Sequence, residues 1–231
     1  MNFMRTYFSF LFVALLLQGC ALGIGTVKYS LDDSKFKSEN LPVRELKVIA
    51  ITDHNGHPNR DIVEHIKEVS QLMTEQVGIS LKIVDWVPIS YERVNPEKRA
   101  YQIMEELSLN GYKSYDIAIG FGSSLLPGKI VLNIIGGVPG AIEDDYRRHI
   151  ALDGLDLQVT MHEIFHCFIF SHNHSNFGIM QSIQIKLLPL TPSFNICNYL
   201  SREDREEVLR NKWRDFSKKP MIQQSDFSRN Y

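Results

Sequence analysis

The chain has 231 residues, of which 44% are hydrophobic and 23% charged, and its formal net charge at pH 7 is −2. This composition is ordinary for a globular protein, and the length suits one domain plus a short N-terminal extension. Because no basic patch stands out, we expect no nucleic-acid partner. The sequence carries no signal of oligomeric state, and a monomer is the simplest expectation.

The N-terminal segment reads as an export signal. Arg5 precedes an apolar run from Tyr7 to Leu17, which is about half of the ~20 residues that a transmembrane helix needs. That length suits the apolar part of a secretory signal. The run ends in Leu17-Gln18-Gly19-Cys20, which resembles a bacterial lipobox.

This resemblance implies cleavage before Cys20 and acylation of its thiol, with palmitate among the attached chains. Ala21 follows the cysteine, as in lipoproteins that Gram-negative cells send to the outer membrane. We therefore expect an envelope lipoprotein that faces the periplasm or the surface, with the membrane as a partner through its lipid. An ordinary signal peptide or an uncleaved anchor is the alternative. The expected organisation is a signal over 1–19, a tether over 20–44 and one domain over 45–231.

The first half of that domain alternates strands and helices. The first helix is marked by apolar residues at helical spacing. They lie between Asn59, which can cap the start of the helix, and Gly78, which can end it. The strands are short apolar runs rich in β-branched residues. The pattern predicts strands over 46–53, 79–89 and 115–122, and helices over 59–77 and 95–111.

The second half begins with one or two more strands over 129–142, which glycines and prolines interrupt, as in an edge strand or a bulge. An apolar helix over 155–170 follows, and a final helix over 201–213 can be capped by Ser201. This order of elements predicts an α/β domain of two or three layers.

The stretch "VTMHEIFHCFIFSH" (159–172) carries the strongest chemical signal. In a helix, His162 and His166 lie on one face, one turn apart, and can reach one tetrahedral zinc ion. Glu163 lies beside them, where a general base can take a proton from water that zinc has made more acidic. The alternative is a packed helix that contains histidines by chance. The surrounding apolar residues weigh against it, because buried imidazoles and carboxylates need polar partners.

"HEIFHCFIFSH" followed by "NFGIM" resembles the signature of the metzincin zinc peptidases, H-E-x-x-H-x-x-G-x-x-H with a later methionine turn. The resemblance implies that His162, His166 and His172 bind one catalytic Zn²⁺, that Glu163 is the general base, and that Met180 lies beneath the metal. It also implies an α/β (α+β) fold with a twisted mixed sheet, two helices before the zinc helix and one after the methionine turn. The implied activity is hydrolysis of peptide or protein substrates.

One departure bears on the third ligand. Ile169 stands where the family has a glycine that lets the chain turn sharply, and a β-branched residue is poorly suited to positive φ. Either the turn is made differently, or His172 swings away and His174 substitutes for it. A further alternative resembles the gluzincins, whose third ligand is a glutamate on a later helix, here Glu203, Glu206 or Glu207.

The sequence also predicts a substrate-binding strand, and it leaves one alternative function open. A substrate peptide is expected to pair with the strand within 129–142 by strand addition. A zinc-loaded surface module that binds without turnover is the alternative to a peptidase.

The remaining polar and sulfur-bearing residues are given less specific interpretations. Cys167 and Cys197 form a disulfide or stay as buried thiols, since sequence does not show that they meet. His65 and His149 are expected to be solvated. A polar loop is expected around His54 and His57, with a second metal site as the minor alternative. The acidic run 143–146 is expected to be solvated rather than to bind calcium.

Overall fold

The computed structural model describes residues 40–52, 58–90, 95–122, 140–171, 174–175, 178–181, 187–188, 191–192 and 198–220. The expected signal, lipidated cysteine and most of the tether therefore lie outside the described residues. Among the described helices, none combines the length and apolarity needed to cross a bilayer.

The described residues form four helices and seven strands. The helices are α1 (Arg60–Val77), α2 (Pro96–Leu109), α3 (Leu157–Phe165) and α4 (Arg202–Asn211). The strands are β1 (Arg44–Thr52), β2 (Ile79–Pro88), β3 (Ile117–Phe121), β4 (Gly140–Ile142), β5 (His149–Leu152), β6 (Leu187–Leu188) and β7 (Thr191–Pro192).

Five strands make a mixed sheet in the order β2-β1-β3-β5-β4. The first four run parallel, and β4 pairs antiparallel with β5 at one edge. Parallel neighbours need crossover connections, which α1 and α2 provide between successive strands. The predicted α/β fold with a mixed sheet is confirmed.

Apolar residues on the two faces of the sheet belong to different cores. Leu46 and Val48 of β1 pack with α1, α3 and α4, whereas Ile49 and Ile51 pack with α2. Side chains of a strand alternate between faces, and a bulge between Val48 and Ile49 shifts the register at this point. The result is the three-layer arrangement, with helices on both faces of the sheet.

The helix boundaries follow the capping residues that the sequence contains. The Asn59 side chain accepts from backbone N–H groups at the start of α1, and Gly78 ends the helix in the left-handed conformation. Ser201 caps α4 as predicted. Helix α3, which carries the paired histidines, is shorter than expected, because it ends at Phe165 and continues only as turns.

The sequence pattern missed β5. Its four residues are all buried and pair with β3 and β4, but they follow two arginines and are too few to show a strand period. Of the predicted strand region 129–142, the structure describes β4, and residues 129–139 lie outside the described residues.

Contacts divide the chain into two units. The five-stranded sheet and all four helices belong to the larger unit, which comprises 31–182 and 198–231. The smaller unit comprises 1–30 and 183–197, and its described part is the antiparallel pair β6 and β7.

Candidate metal centre

Helix α3 carries two histidines into the interior of the larger unit. Asp156 caps its start by accepting from the backbone N–H of Val159 at 2.9 Å. His162 lies in the last turn and His166 at the C-cap, still in right-handed helical conformation. His162 and His166 are 8% and 7% exposed, so their nitrogen atoms must find partners inside the protein.

The two imidazoles point their Nε2 atoms at each other. These atoms lie 3.1 Å apart, close to the spacing of about 3.3 Å expected for two nitrogens at 2.0–2.1 Å from one tetrahedral zinc. Burial lowers the pKa of His162 to about 4. A neutral imidazole, the form that binds a metal, is therefore present at neutral pH.

A third histidine completes the cluster. The ring of His174 stacks on His162 with centroids 5.4 Å apart and meets the ring of His166 edge-on at 5.9 Å. One nitrogen from each of the three rings lies within 4.8 Å of the others. His174 is exposed whereas the other two are buried, so the cluster opens to solvent on the side of His174.

The turn that contains Met180 bonds one of these histidines and the residue that follows another. His162 donates from Nδ1 to the carbonyl oxygen of Ile179 at 2.8 Å, so Nε2 is the nitrogen that could bind a metal. The carbonyl oxygen of Met180 accepts from the N–H of Ser175 at 3.0 Å, next to His174. Met180 itself is fully buried.

Gly178 explains how this turn packs so closely. Its φ is +80°, and an added Cβ would lie 2.8 Å from the backbone of Tyr199 and Ser201. The adjacent Ile179 donates its N–H to the Tyr199 carbonyl oxygen at 2.8 Å. Gln76 fixes that segment in turn, because its amide accepts from the N–H of Leu200.

Glu163 follows His162 on α3 and packs against β4, an edge strand of the sheet. Burial raises the pKa of its carboxyl to about 8. A Cβ built on Gly140, the first residue of β4, would lie 2.9 Å from Glu163 Cγ and from Val159 Cγ1. Only a residue without a side chain lets β4 pack this closely on Glu163.

The turn after the helix is made without a left-handed residue at Ile169. Among the described residues other than glycine, positive φ occurs at Arg147 alone. Three carbonyl groups at the helix end accept from long side chains instead, each at 2.7 Å: Cys167 from Arg214, Phe168 from Asn211 and Ile169 from Arg147. These bonds satisfy carbonyls that a helix end leaves without partners.

No family model matches this chain, and no curated protein matches it in sequence. Among solved structures, it is similar to the crystal structure of archaemetzincin from Methanopyrus kandleri. The identity is 16%, the match covers 74% of this chain and 97% of that chain, and the TM-score is 0.43. This likeness is too distant to assign a function.

The predicted site residues have different outcomes. The structure brings His162 and His166 together, and Glu163 follows His162 on the same helix. Met180 lies in the turn whose Ile179 carbonyl oxygen accepts from His162. His172 lies outside the described residues, so its role as a ligand stays a prediction. His174, the alternative that the sequence favoured less, joins the cluster.

The glutamates of α4 do not join it. Among the described residues, the cluster with metal-ligand spacing contains histidines alone. Glu207 is buried and accepts from the backbone N–H groups of Phe170 and Ser171 at 2.6 and 3.0 Å. Glu203 and Glu206 are exposed.

Two histidines expected to be solvated are buried and hydrogen-bonded. His65 bonds through Nε2 to Thr160 Oγ1 of α3 at 2.8 Å. His149 bonds through Nδ1 to Glu143 Oε1 at 2.9 Å and through Nε2 to the Tyr115 hydroxyl at 2.8 Å. The expectation was wrong because Thr160 and Tyr115 are distant in sequence from the histidines they bond, and Glu143 belongs to a polar run that gives no sign of burial.

The acidic run 143–146 is also not simply solvated. Glu143 is fully buried, and besides His149 it accepts from the backbone N–H groups of Tyr146 and Arg148.

Cys167 is a buried free thiol whose pKa burial raises to about 12. Cys197, His54 and His57 lie outside the described residues.

Proposed function

We propose that this chain is a zinc-dependent peptidase of the metzincin type, in which His162, His166 and His174 hold the ion and Glu163 is the general base. The cluster of three imidazoles beside a buried glutamate carries this proposal. The donor set suits zinc, because neutral imidazoles at this spacing match its preferred ligands and distances. A gluzincin-type site gains no support, since Glu207 already binds the backbone.

Zinc in this position supplies Lewis acidity, which makes water nucleophilic at neutral pH and polarises a peptide carbonyl. The chain's own contribution is to orient the ligands. The Ile179 carbonyl fixes the tautomer of His162, and the Met180 carbonyl anchors the residue after His174. Such bonds raise the basicity of a ligand and hold its ring in place.

Glu163 performs the proton transfers in this proposal. In its ionised form, the Glu163 carboxyl accepts a proton from the attacking water and later delivers it to the amine nitrogen of the leaving peptide. Burial raises its pKa, and the positive charge of a zinc ion held nearby would favour the ionised form. The side chain is buried between α3 and β4, which restricts its rotation.

The edge strand β4 is the proposed substrate platform. It has a single partner, β5, in the described sheet, and an extended peptide can add a strand to such an edge. Because Gly140 of β4 packs against Glu163, a peptide paired there would pass close to the base and the histidines.

Metal content and hydrolysis together test this function. We expect the purified protein to carry zinc, and the double change His162→Ala and His166→Ala to lose it, because each imidazole supplies a ligand. The measurements are elemental analysis and cleavage of a broad peptide library. Folded wild-type protein that refuses added zinc would contradict the proposal. A zinc-loaded sample that cleaves no peptide over varied pH would favour the binding module.

We also propose that the protein is held in the bacterial envelope by a lipid on Cys20, as the residues Leu17-Gln18-Gly19-Cys20 suggest. Changing Cys20 to Ser is expected to move the protein from the membrane fraction to the soluble fraction, because the acyl chains can no longer be attached. Fractionation and intact-mass measurement check this. A wild-type mass that shows cleavage elsewhere and no lipid would refute it.

A further inference from the structure

The segment between the second and third histidines of the cluster is anchored by one glutamate of the last helix. Oε1 of Glu207 accepts from the N–H groups of Phe170 and Ser171, and Oε2 accepts from the hydroxyl of Ser171. Glu207 is 6% exposed. Hydrogen bonds to a buried charged acceptor are stronger than those between neutral groups, so this anchor is firm.

The anchor lies close in sequence to the proposed third ligand. His174 comes three residues after Ser171, and a chain spans at most about 3.3–3.6 Å per residue. The other flank is held as well, since Ser175 donates its N–H to the Met180 carbonyl. His174 therefore lies in sequence between two fixed backbone positions, Ser171 held by Glu207 and Ser175 held by Met180.

The anchor also adds to the side-chain hydrogen bonds that hold the backbone after the end of α3. Asn211 and Arg214 bind the carbonyls of Phe168 and Cys167, and Glu207 binds the N–H groups that follow. These three side chains come from α4 and the turn after it. Together they hold four backbone residues, 167, 168, 170 and 171, and Arg147 holds Ile169 between them.

We infer that Glu207 is a positioning residue for the metal centre, which fixes the backbone of Phe170 and Ser171 and so helps to hold the imidazole of His174 against those of His162 and His166. This role rests on the proposed zinc site. It predicts that Glu207 influences zinc affinity without contacting the ion.

The test is the zinc dissociation constant of the full chain, measured by competition with a chromophoric chelator. Glu207→Ala removes the acceptors and is expected to weaken zinc binding roughly 10- to 100-fold, the range for residues that orient metal ligands. Glu207→Gln is expected to stay close to wild type, because its amide oxygen can accept the same two N–H bonds. Glu206→Ala is the matched control, since that neighbouring glutamate is exposed and pairs with Arg202 on its own helix.

A second variant covers the case in which alanine prevents folding. Glu207→Asp keeps the charge but is one methylene shorter, so it must pull the segment toward α4, and we expect an intermediate loss of zinc affinity. The visible spectrum of the cobalt-substituted protein should change in the same order, because it reports the ligand geometry. A purely structural role would lower thermal stability and leave affinity and spectrum unchanged.

The outcomes separate the two proposals. Wild-type protein that binds no zinc would overturn the metal centre and the role of Glu207 together. Wild-type protein that binds zinc, with folded Glu207 variants of equal affinity, would overturn the role of Glu207 alone. A glutamine variant as weak as the alanine variant would contradict the positioning argument, because the hydrogen-bond acceptor is retained.

Discussion

Glu163→Gln and Glu163→Ala are both expected to lower peptide hydrolysis by about 10²–10⁴-fold, the contribution of a positioned general base. Zinc content should stay at the wild-type level, because Glu163 is not among the three residues whose nitrogen atoms lie close enough to share one ion. Glutamine keeps the shape of the buried side chain and cannot accept the proton. The measurements are steady-state hydrolysis and elemental analysis of the same preparations.

The two substitutions separate chemistry from packing. Glu163 fills space between α3 and β4, so alanine leaves a cavity and should also reduce stability, whereas glutamine should not. If Glu163 were only a packed polar residue, glutamine would retain hydrolysis and alanine would destabilise the domain. Full activity in Glu163→Gln would exclude the mechanism, whatever the zinc content.

His174→Ala is expected to abolish stable zinc binding and with it hydrolysis. Removal of a ligand should cost more than the roughly 10- to 100-fold seen when only a ligand's orientation is lost. The reason is geometric, since His174 supplies one of the three nitrogens that lie within 4.8 Å of one another. Zinc affinity by chelator competition is the deciding measurement.

His172→Ala is the matched comparison, because it removes an imidazole two residues away in the same segment. We expect it to leave zinc affinity near the wild-type value. The reverse pattern, with loss in His172→Ala and retention in His174→Ala, would show that the third ligand is the one the metzincin motif implies. The metal centre would then stand with a different third histidine.

The central part of the site could be predicted from the sequence. Two histidines four apart on an apolar helix must share a face, because helical geometry is local. Asn59 and Ser201 mark helix starts for the same reason, since a cap bonds to backbone only two or three residues away. The alternation of strands and helices determined the α/β class, which the five-stranded mixed sheet confirms.

Only the tertiary structure shows that His174 joins the cluster and what supports it. The sequence left His172 and His174 as alternatives, because the contacts on either side of His174 come from residues distant in sequence. Glu207 reaches back 36 and 37 positions to Ser171 and Phe170. Such a bond leaves no local periodicity, so a glutamate that anchors the loop looks in sequence like any glutamate on a helix. The burial of His149 against Glu143 and Tyr115 was hidden likewise, because a four-residue strand becomes visible only when its neighbours pair with it.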